Sequence, residues 1–337
     1  MAYIPNKKRY QKMQYNRCGD SGLKLPAISL GLWHNFGCHD DFKKSRNMIR
    51  KAFDLGITHF DLANNYGPPA GSAEKIFGKI LDYDLSSYRD QLIISTKAGY
   101  GMWEGPYGDG GSKKYLTASL DQSLDRLGLD YVDIFYHHRP DNETPLEETM
   151  RTLDGFVKQG KTLYVGISNY NTQQTIKAAE ILNDLKTPFI INQIQYSIFN
   201  RTIEKDELIN TLSDQGLTGI IFSPLAQGLL TDKYIKGIPA DSRAAGKSQF
   251  LNKSDITSNK LDKLLALNKL AKQRNQTLAQ MSLAWVLRHE NIASVIIGAS
   301  KVCQIKENVK TIENLEFSDT ELKKIDQICN GEKKLEV

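Results

Sequence analysis

The chain has 337 residues, and its 44 Lys and Arg against 39 Asp and Glu leave a net charge of +5. Charged residues make up 25% of it and Gly (25) and Pro (10) are near average, which excludes collagenous and disordered chains. The positive surplus is too small and too dispersed to point to nucleic acid. No apolar run reaches the roughly 18 residues that span a bilayer, and the polar start Asn6-Lys7-Lys8-Arg9 lacks the apolar core of a secretory signal. Cys18, Cys38, Cys303 and Cys329 form neither a CxxC pair nor a metal-ligand spacing. Reduced thiols, a cytoplasmic location, no membrane partner and no metal are therefore expected.

In chain order, Met13–Arg17 and Leu23–Leu25 around Cys18-Gly19-Asp20-Ser21-Gly22 read as an N-terminal hairpin that caps the bottom of a barrel. Eight strand candidates come next: Ile28–Gly31, Thr58–Asp61, Leu92–Lys97, Val132–His138, Leu163–Ser168, Ile190–Gln195, Gly219–Ser223 and Ser294–Ile297. Between them lie amphipathic helical patterns such as Arg46–Leu55, Glu147–Gln159 and Asn171–Leu185, each with one apolar stripe. Strand-then-helix alternation implies parallel strands with crossover helices. Eight units predict a closed (β/α)8 TIM barrel, one domain over residues 1–337 with its core at about 13–330. An open doubly wound sheet would need a Gly-rich first turn, which is absent. Long loops follow the third strand (Tyr100–Gly111) and the seventh (about Leu225–Ser258), and Ser318–Cys329 reads as an extra C-terminal helix. Long loops at a barrel's C-terminal face are where sites are built.

Gly155-Phe156-Val157-Lys158-Gln159-Gly160-Lys161-Thr162 matches the phosphate-loop pattern GxxxxGKT. That loop works only between a strand and a following helix, and here a helix runs into a strand, so it is rejected. No GxGxxG occurs.

Four polar residues stand at or just past successive strand ends: Asp61, Tyr66 in the loop after it, Lys97 and His138. In a barrel they share one mouth. Two unit charges ~4 Å apart at an effective dielectric of ~20 interact by ~4 kcal/mol. Lys97 is therefore expected to pull the Tyr66 pKa below about 10, with Asp61 holding Lys97 protonated. Tyr66 would then protonate a carbonyl oxygen as a hydride reaches the carbon, while His138 bonds that oxygen. Strand alternation alone leaves open whether His137 or His138 faces the mouth. An alternative, a Schiff-base aldolase or isomerase using Lys97, is disfavoured by Asp61 keeping the amine charged.

The run Gly56-Ile57-Thr58-His59-Phe60-Asp61-Leu62-Ala63-Asn64-Asn65-Tyr66-Gly67, the segment Ile94-Ser95-Thr96-Lys97 and the strand Asp133-Ile134-Phe135-Tyr136-His137-His138 resemble the signatures of the aldo-keto reductases. The resemblance spans about residues 13–330 and selects His138. It implies NADPH lying extended across the mouth. Trp33, Asp61, Ser168, Asn169 and Gln193 would hold the nicotinamide end, with Phe222 against its ring. Ser223, Leu225, Gln227 and Gly228 would cover the pyrophosphate. Lys233 and Arg243 would meet phosphate. Gly298, Ser300, Gln304, Glu307 and Asn308 would take the adenosine end, with Ser300 starting the helix after the eighth strand. Trp33, Tyr100 and Trp103 are expected to wall the substrate pocket.

Within the family, Gly31–Phe36, Asn65–Glu74 and Gly105–Tyr115 are most similar to the branch acting on short phosphorylated aldehydes such as L-glyceraldehyde 3-phosphate. Next come the potassium-channel β subunits, which are similar to this chain with Asn at the position of His138. That resemblance implies a homo-oligomer reducing L-glyceraldehyde 3-phosphate, methylglyoxal and other small aldehydes. The alternative is an NADPH-binding regulatory subunit with slow residual activity. Arg139 suits an anionic substrate, or else pairs with a loop acid.

Overall fold

The computed structural model describes residues 3–235, 237–239, 243–246 and 251–330. A two-stranded antiparallel hairpin, β1 (Tyr15–Arg17) with β2 (Lys24–Pro26), precedes a closed parallel barrel. Its strands are β3 (Ile28–Gly31), β4 (His59–Asp61), β5 (Ile93–Ala98), β6 (Val132–His137), β7 (Thr162–Ser168), β8 (Phe189–Gln195), β9 (Thr218–Phe222) and β10 (Ile292–Ile297). They follow one another around the wall and β10 pairs with β3 to close it. The helices are α1 (Phe42–Asp54), α2 (Ser72–Ile80), α3 (Lys113–Leu127), α4 (Leu146–Lys158), α5 (Thr172–Asp184), the short α6 (Thr202–Lys205) with α7 (Leu208–Asp214), then α8 (Ser258–Gln273), α9 (Leu278–Leu287), α10 (Val302–Val309) and α11 (Asp319–Asn330). The fold is thus the expected TIM barrel with its hairpin, long loops after β5 and β9, and the additional C-terminal helix.

The two faces of each strand explain the two cores. On β6, Ile134 and Tyr136 belong to a buried cluster with Cys18 and Leu25 of the hairpin region, so the hairpin plugs one end of the barrel. Phe135, between them, points outward onto Phe156 of α4, ring centres 5.4 Å apart. Phe60 of β4 does the same against Phe77 of α2 at 5.2 Å. Each such buried ring stabilises the wall by roughly 1.5–3 kcal/mol.

Several boundaries differ from the sequence expectation for identifiable reasons. The first helix begins at Phe42 rather than Arg46, because the Asp41 side chain caps it by accepting from Lys43 N and Lys44 N. β5 runs on to Ala98, so Lys97 is its penultimate residue, and β6 stops at His137, so His138 is the first residue beyond it. α10 starts at Val302, and Ser300 lies two residues before it. Gly155–Thr162 does run from α4 into β7, the reverse of a phosphate loop. Among the described residues, no helix is long and apolar enough to cross a membrane and no metal-binding group of His, Cys, Asp or Glu occurs.

Candidate active site

β4, β5 and β6 bring Asp61, Lys97 and His138 to one rim, with Tyr66 in the loop after β4. Lys97 is fully buried; its Nζ donates to Asp61 Oδ2 at 2.6 Å and to the Leu62 carbonyl at 2.5 Å. The Tyr66 Oη lies 3.5 Å from Lys97 Nζ. The His138 ring sits 5.9 Å from that of Tyr66 and 4.7 Å from that of Tyr100, edge-on to both. His137 points the other way, its Nδ1 2.6 Å from Tyr170 Oη, so strand alternation gives the mouth to His138. The buried Nδ1 of His138 finds no partner among the described residues, the condition in which a ligand supplies the missing bond.

The electrostatics correct one expectation. Desolvation, and then the Asp61 charge, raise the Tyr66 pKa well above its ordinary value instead of lowering it. Lys97 is itself lowered by burial, with Asp61 and Glu74 working against that effect. Burial also sets His138 well below the usual histidine value, and the Lys97 charge adds to it. Tyr66 therefore keeps its proton, and His138 is a neutral hydrogen-bonding group.

Around this array lie the residues assigned to the cofactor. Gln193 Nε2 donates to Asp61 Oδ1 at 2.9 Å. Ser168 Oγ and Asn169 N both donate to the Gln193 carbonyl, and Asn169 Nδ2 donates to the His138 carbonyl. Trp33 lies 6.3 Å from Tyr66, ring to ring. Phe222 ends β9 half-buried, and Ser223, Leu225, Gln227 and Gly228 form the turn after it, where Gln227 Nε2 donates to Ser223 Oγ. Non-glycine residues in left-handed backbone gather in these rim loops: Asn35, Asn169, Ser223, Ala226 and Gln227. Such strain persists where surrounding structure over-determines it, commonly at ligand sites.

Farther out, Gly298 and Ser300 lead to α10. The Gln304 Oε1 accepts from Ser300 N (2.7 Å) and Lys301 N (3.2 Å), folding over the helix start. Asn308 is buried, while Glu307 pairs with Lys310 at 2.8 Å on the wall of a groove of about 490 Å³. Lys233 is exposed in a turn; the Arg243 side chain lies outside the described residues. The donors and backbone amides along this rim fit a nicotinamide dinucleotide, and the unsatisfied His138 nitrogen is left to a second ligand.

The pocket wall is less uniform than expected. Tyr100 faces His138, but Trp103 stacks on Tyr115 of α3 at 5.1 Å as part of the loop's own packing. Gly99 permits the close approach here: a Cβ on it would stand 3.0 Å from His138 Cβ. Arg139 takes the ion-pair alternative, Nη2 to Asp109 Oδ1 at 2.8 Å, with Nε donating to the Gly99 carbonyl.

Sequence reasoning missed three contributors. Ser95 Oγ donates to Asp61 Oδ1 at 2.9 Å, and His59 lies behind Ser95. Glu74, fully buried, accepts from Thr96 Oγ1 and pairs with Arg126 at 2.7 Å. His59 and Ser95 sit two residues before Asp61 and Lys97, on the same strand faces; polar residues at alternate positions of buried strands were the available signal.

The aldo/keto reductase family model matches residues 27–330. The chain is 55% identical to L-glyceraldehyde 3-phosphate reductase of Escherichia coli (strain K12), over 98% of this chain and 97% of that one. It is 38% identical to a probable voltage-gated potassium channel subunit beta of Oryza sativa subsp. japonica, over 89% and 92%. The holo form of an aldo-keto reductase from Bacillus halodurans superposes with a TM-score of 0.75 at 25% identity, covering 94% of this chain and 96% of that one.

Proposed function

Because the chain belongs to the aldo/keto reductase family, and is an oxidoreductase of a kind that generally uses NAD(P)H, we propose that it reduces short aldehydes with NADPH. L-glyceraldehyde 3-phosphate and methylglyoxal are the substrates we put first. The observation that carries this reading is the Tyr66–Lys97–Asp61 array opening beside His138. The E. coli relative's name supports the phosphorylated aldehyde. The subfamily likeness also supports a cytoplasmic homo-oligomer.

NADPH, when bound, supplies the hydride that the carbonyl carbon takes up. His138, neutral, hydrogen-bonds the carbonyl oxygen and orients it toward Tyr66. The Tyr66 hydroxyl gives its proton to that oxygen, and the Lys97 ammonium 3.5 Å away stabilises the phenolate left behind. Asp61 holds Lys97 in place, and solvent later returns the proton to Tyr66. Ser168, Asn169 and Gln193 would hold the carboxamide end of the nicotinamide and so orient it toward the substrate.

The test is NADPH consumption on a panel of short aldehydes, with Tyr66→Phe beside the parent. Loss of the acid should lower kcat about 10²–10⁴-fold, with NADPH affinity nearly unchanged. Normal turnover in that variant would sink the assignment. Tight NADPH binding with silence across the panel would turn the reading to a regulatory subunit like the channel β subunits.

A further inference from the structure

Beneath Asp61 a file of polar side chains crosses the barrel interior, a region that branched apolar residues ordinarily fill. Ser294 Oγ lies 2.6 Å from Ser29 Oγ, and Ser29 Oγ lies 2.8 Å from His59 Nδ1. His59 Nε2 is 2.9 Å from Ser95 Oγ, which is 2.9 Å from Asp61 Oδ1. The four residues behind Asp61 are 0% exposed, and they come from β10, β3, β4 and β5, adjacent strands across the barrel's closure.

With His59 neutral, one end of the file fixes every hydrogen in it. Asp61, ion-paired with Lys97, only accepts. Ser95 therefore donates to Asp61. A serine has one hydrogen, so Ser95 Oγ must accept from His59, which places the imidazole proton on Nε2. The bare Nδ1 accepts from Ser29, and Ser29, its hydrogen spent, accepts from Ser294. Four bonds point the same way, each turning its positive end toward the carboxylate. An apolar set would pack this space without needing its polar atoms matched, and a half-matched set would destabilise it.

We propose that His59 is a positioning residue: locked as the Nε2–H tautomer by Ser29 and Ser95, it orients the Asp61 carboxylate, so that Lys97 is held in place beside Tyr66. The inference rests on Tyr66 being the acid of the proposed reduction. Burial pushes the His59 pKa down to about 4, with the Lys97 charge lowering it and the Asp61 charge opposing, so the ring is neutral at working pH. The other titratable groups facing this end are Tyr66, His138 and Tyr136, with Glu74 acting on Lys97 and Cys18 on Tyr136.

Two measurements test it. Nitrogen-15 NMR of the histidine rings in the intact protein should find His59 protonated at Nε2 and bare at Nδ1 near neutral pH. An Nδ1–H tautomer or a doubly protonated ring overturns the proposal whether or not the protein turns over aldehydes. The second measurement is the pH profile of kcat for reduction. Without the Ser95 donor the Asp61 carboxylate is held less firmly against Lys97, the ammonium stabilises the phenolate less well and Tyr66 ionises later. In Ser95→Ala the alkaline limb should move up by about one pH unit, the worth of one charge-assisted hydrogen bond. His59→Leu should move it less, and Ser294→Ala least. A merely structural file would lower stability and leave the limb where it was, and that result in Ser95→Ala, which only deletes one oxygen, overturns the proposal.

Discussion

At the scale of single residues, Arg139 and Asp109 bear on substrate choice. The Asp109 carboxylate, half-exposed, occupies the guanidinium that a phosphorylated aldehyde would use, and Tyr100 stacks beside it with its ring centre 5.0 Å from the guanidinium carbon. On the proposed function, Asp109 would compete with a substrate phosphate for Arg139. A partly exposed pair of this kind is worth about 1 kcal/mol, or about fivefold in binding. Asp109→Asn should lower KM for L-glyceraldehyde 3-phosphate by about that factor and leave methylglyoxal untouched, while Arg139→Gln raises the former alone. Equal shifts on both substrates in steady-state kinetics would remove Arg139 from substrate recognition. The positions of Asp61, Tyr66, Lys97 and His138 around one mouth were legible in the sequence, because strand ends in a barrel converge. The direction of the Tyr66 shift was not. It depends on how completely the hydroxyl and its Lys97 neighbour leave water, and spacing along the chain carries no measure of that. For Arg139 pairing with a loop acid was one of two alternatives the sequence left open, but not its partner, since Asp109 lies thirty residues away by number on a loop whose path no periodicity encodes.

At the scale of elements, the start of α10 is where, on the proposed function, a nucleotide phosphate would compete with the protein. Gln304 uses its carbonyl oxygen to satisfy Ser300 N and Lys301 N, the amides that a phosphate near a helix N-terminus would otherwise engage. Replacing it by Glu keeps an acceptor over the same amides but sets a negative charge there. Gln304→Glu should weaken NADPH by about tenfold, equal to about 1.4 kcal/mol of like-charge repulsion, and weaken NADH much less. Fluorescence titration with the two nucleotides decides it; equal losses would place the 2′-phosphate elsewhere. The barrel strands themselves were readable to within one or two residues, since each is a short apolar run bounded by loop residues. What the pattern could not give were elements set by side-chain geometry. The Asp41 cap lengthens α1, and the π-helical turn Leu81–Leu85 follows α2 without a break, positioning Asp84 between Arg46 and Arg50. The hairpin and its place as a cap on the barrel were both expected from the sequence, but not the contacts that make it, Cys18 and Leu25 meeting residues more than a hundred positions away.

At the scale of the whole molecule, the buried titratable groups define a pH window for stability. His59 and His137 are fully buried, and burial takes both from 6.5 to about 4. Above pH 6.5 both are neutral folded or unfolded, so their contribution is complete. As pH falls below 6.5 the unfolded chain takes up protons that the folded chain refuses until about 4, and stability falls by up to about 3 kcal/mol per histidine. Carboxylates act lower. Burial alone would raise Asp84, but Arg46 and Arg50 overcome it and hold it at about 2; Thr144 and backbone amides do the same for Asp141. Their contribution is lost as pH drops from about 4 toward 2. On the alkaline side burial pushes the Cys18 thiol from 9.0 up to about 12, and it raises Tyr15 as well. Groups raised in the fold contribute fully below their unfolded pKa and lose that contribution as pH climbs through the folded value. The urea midpoint should therefore be flat between about pH 7 and 9 and decline between 6.5 and 5, above the range in which Asp84 and Asp141 titrate. His137→Leu, on the outer face of β6 and away from Tyr66, should shrink that early decline. A midpoint constant down to pH 5 would show that these rings titrate normally in the folded protein.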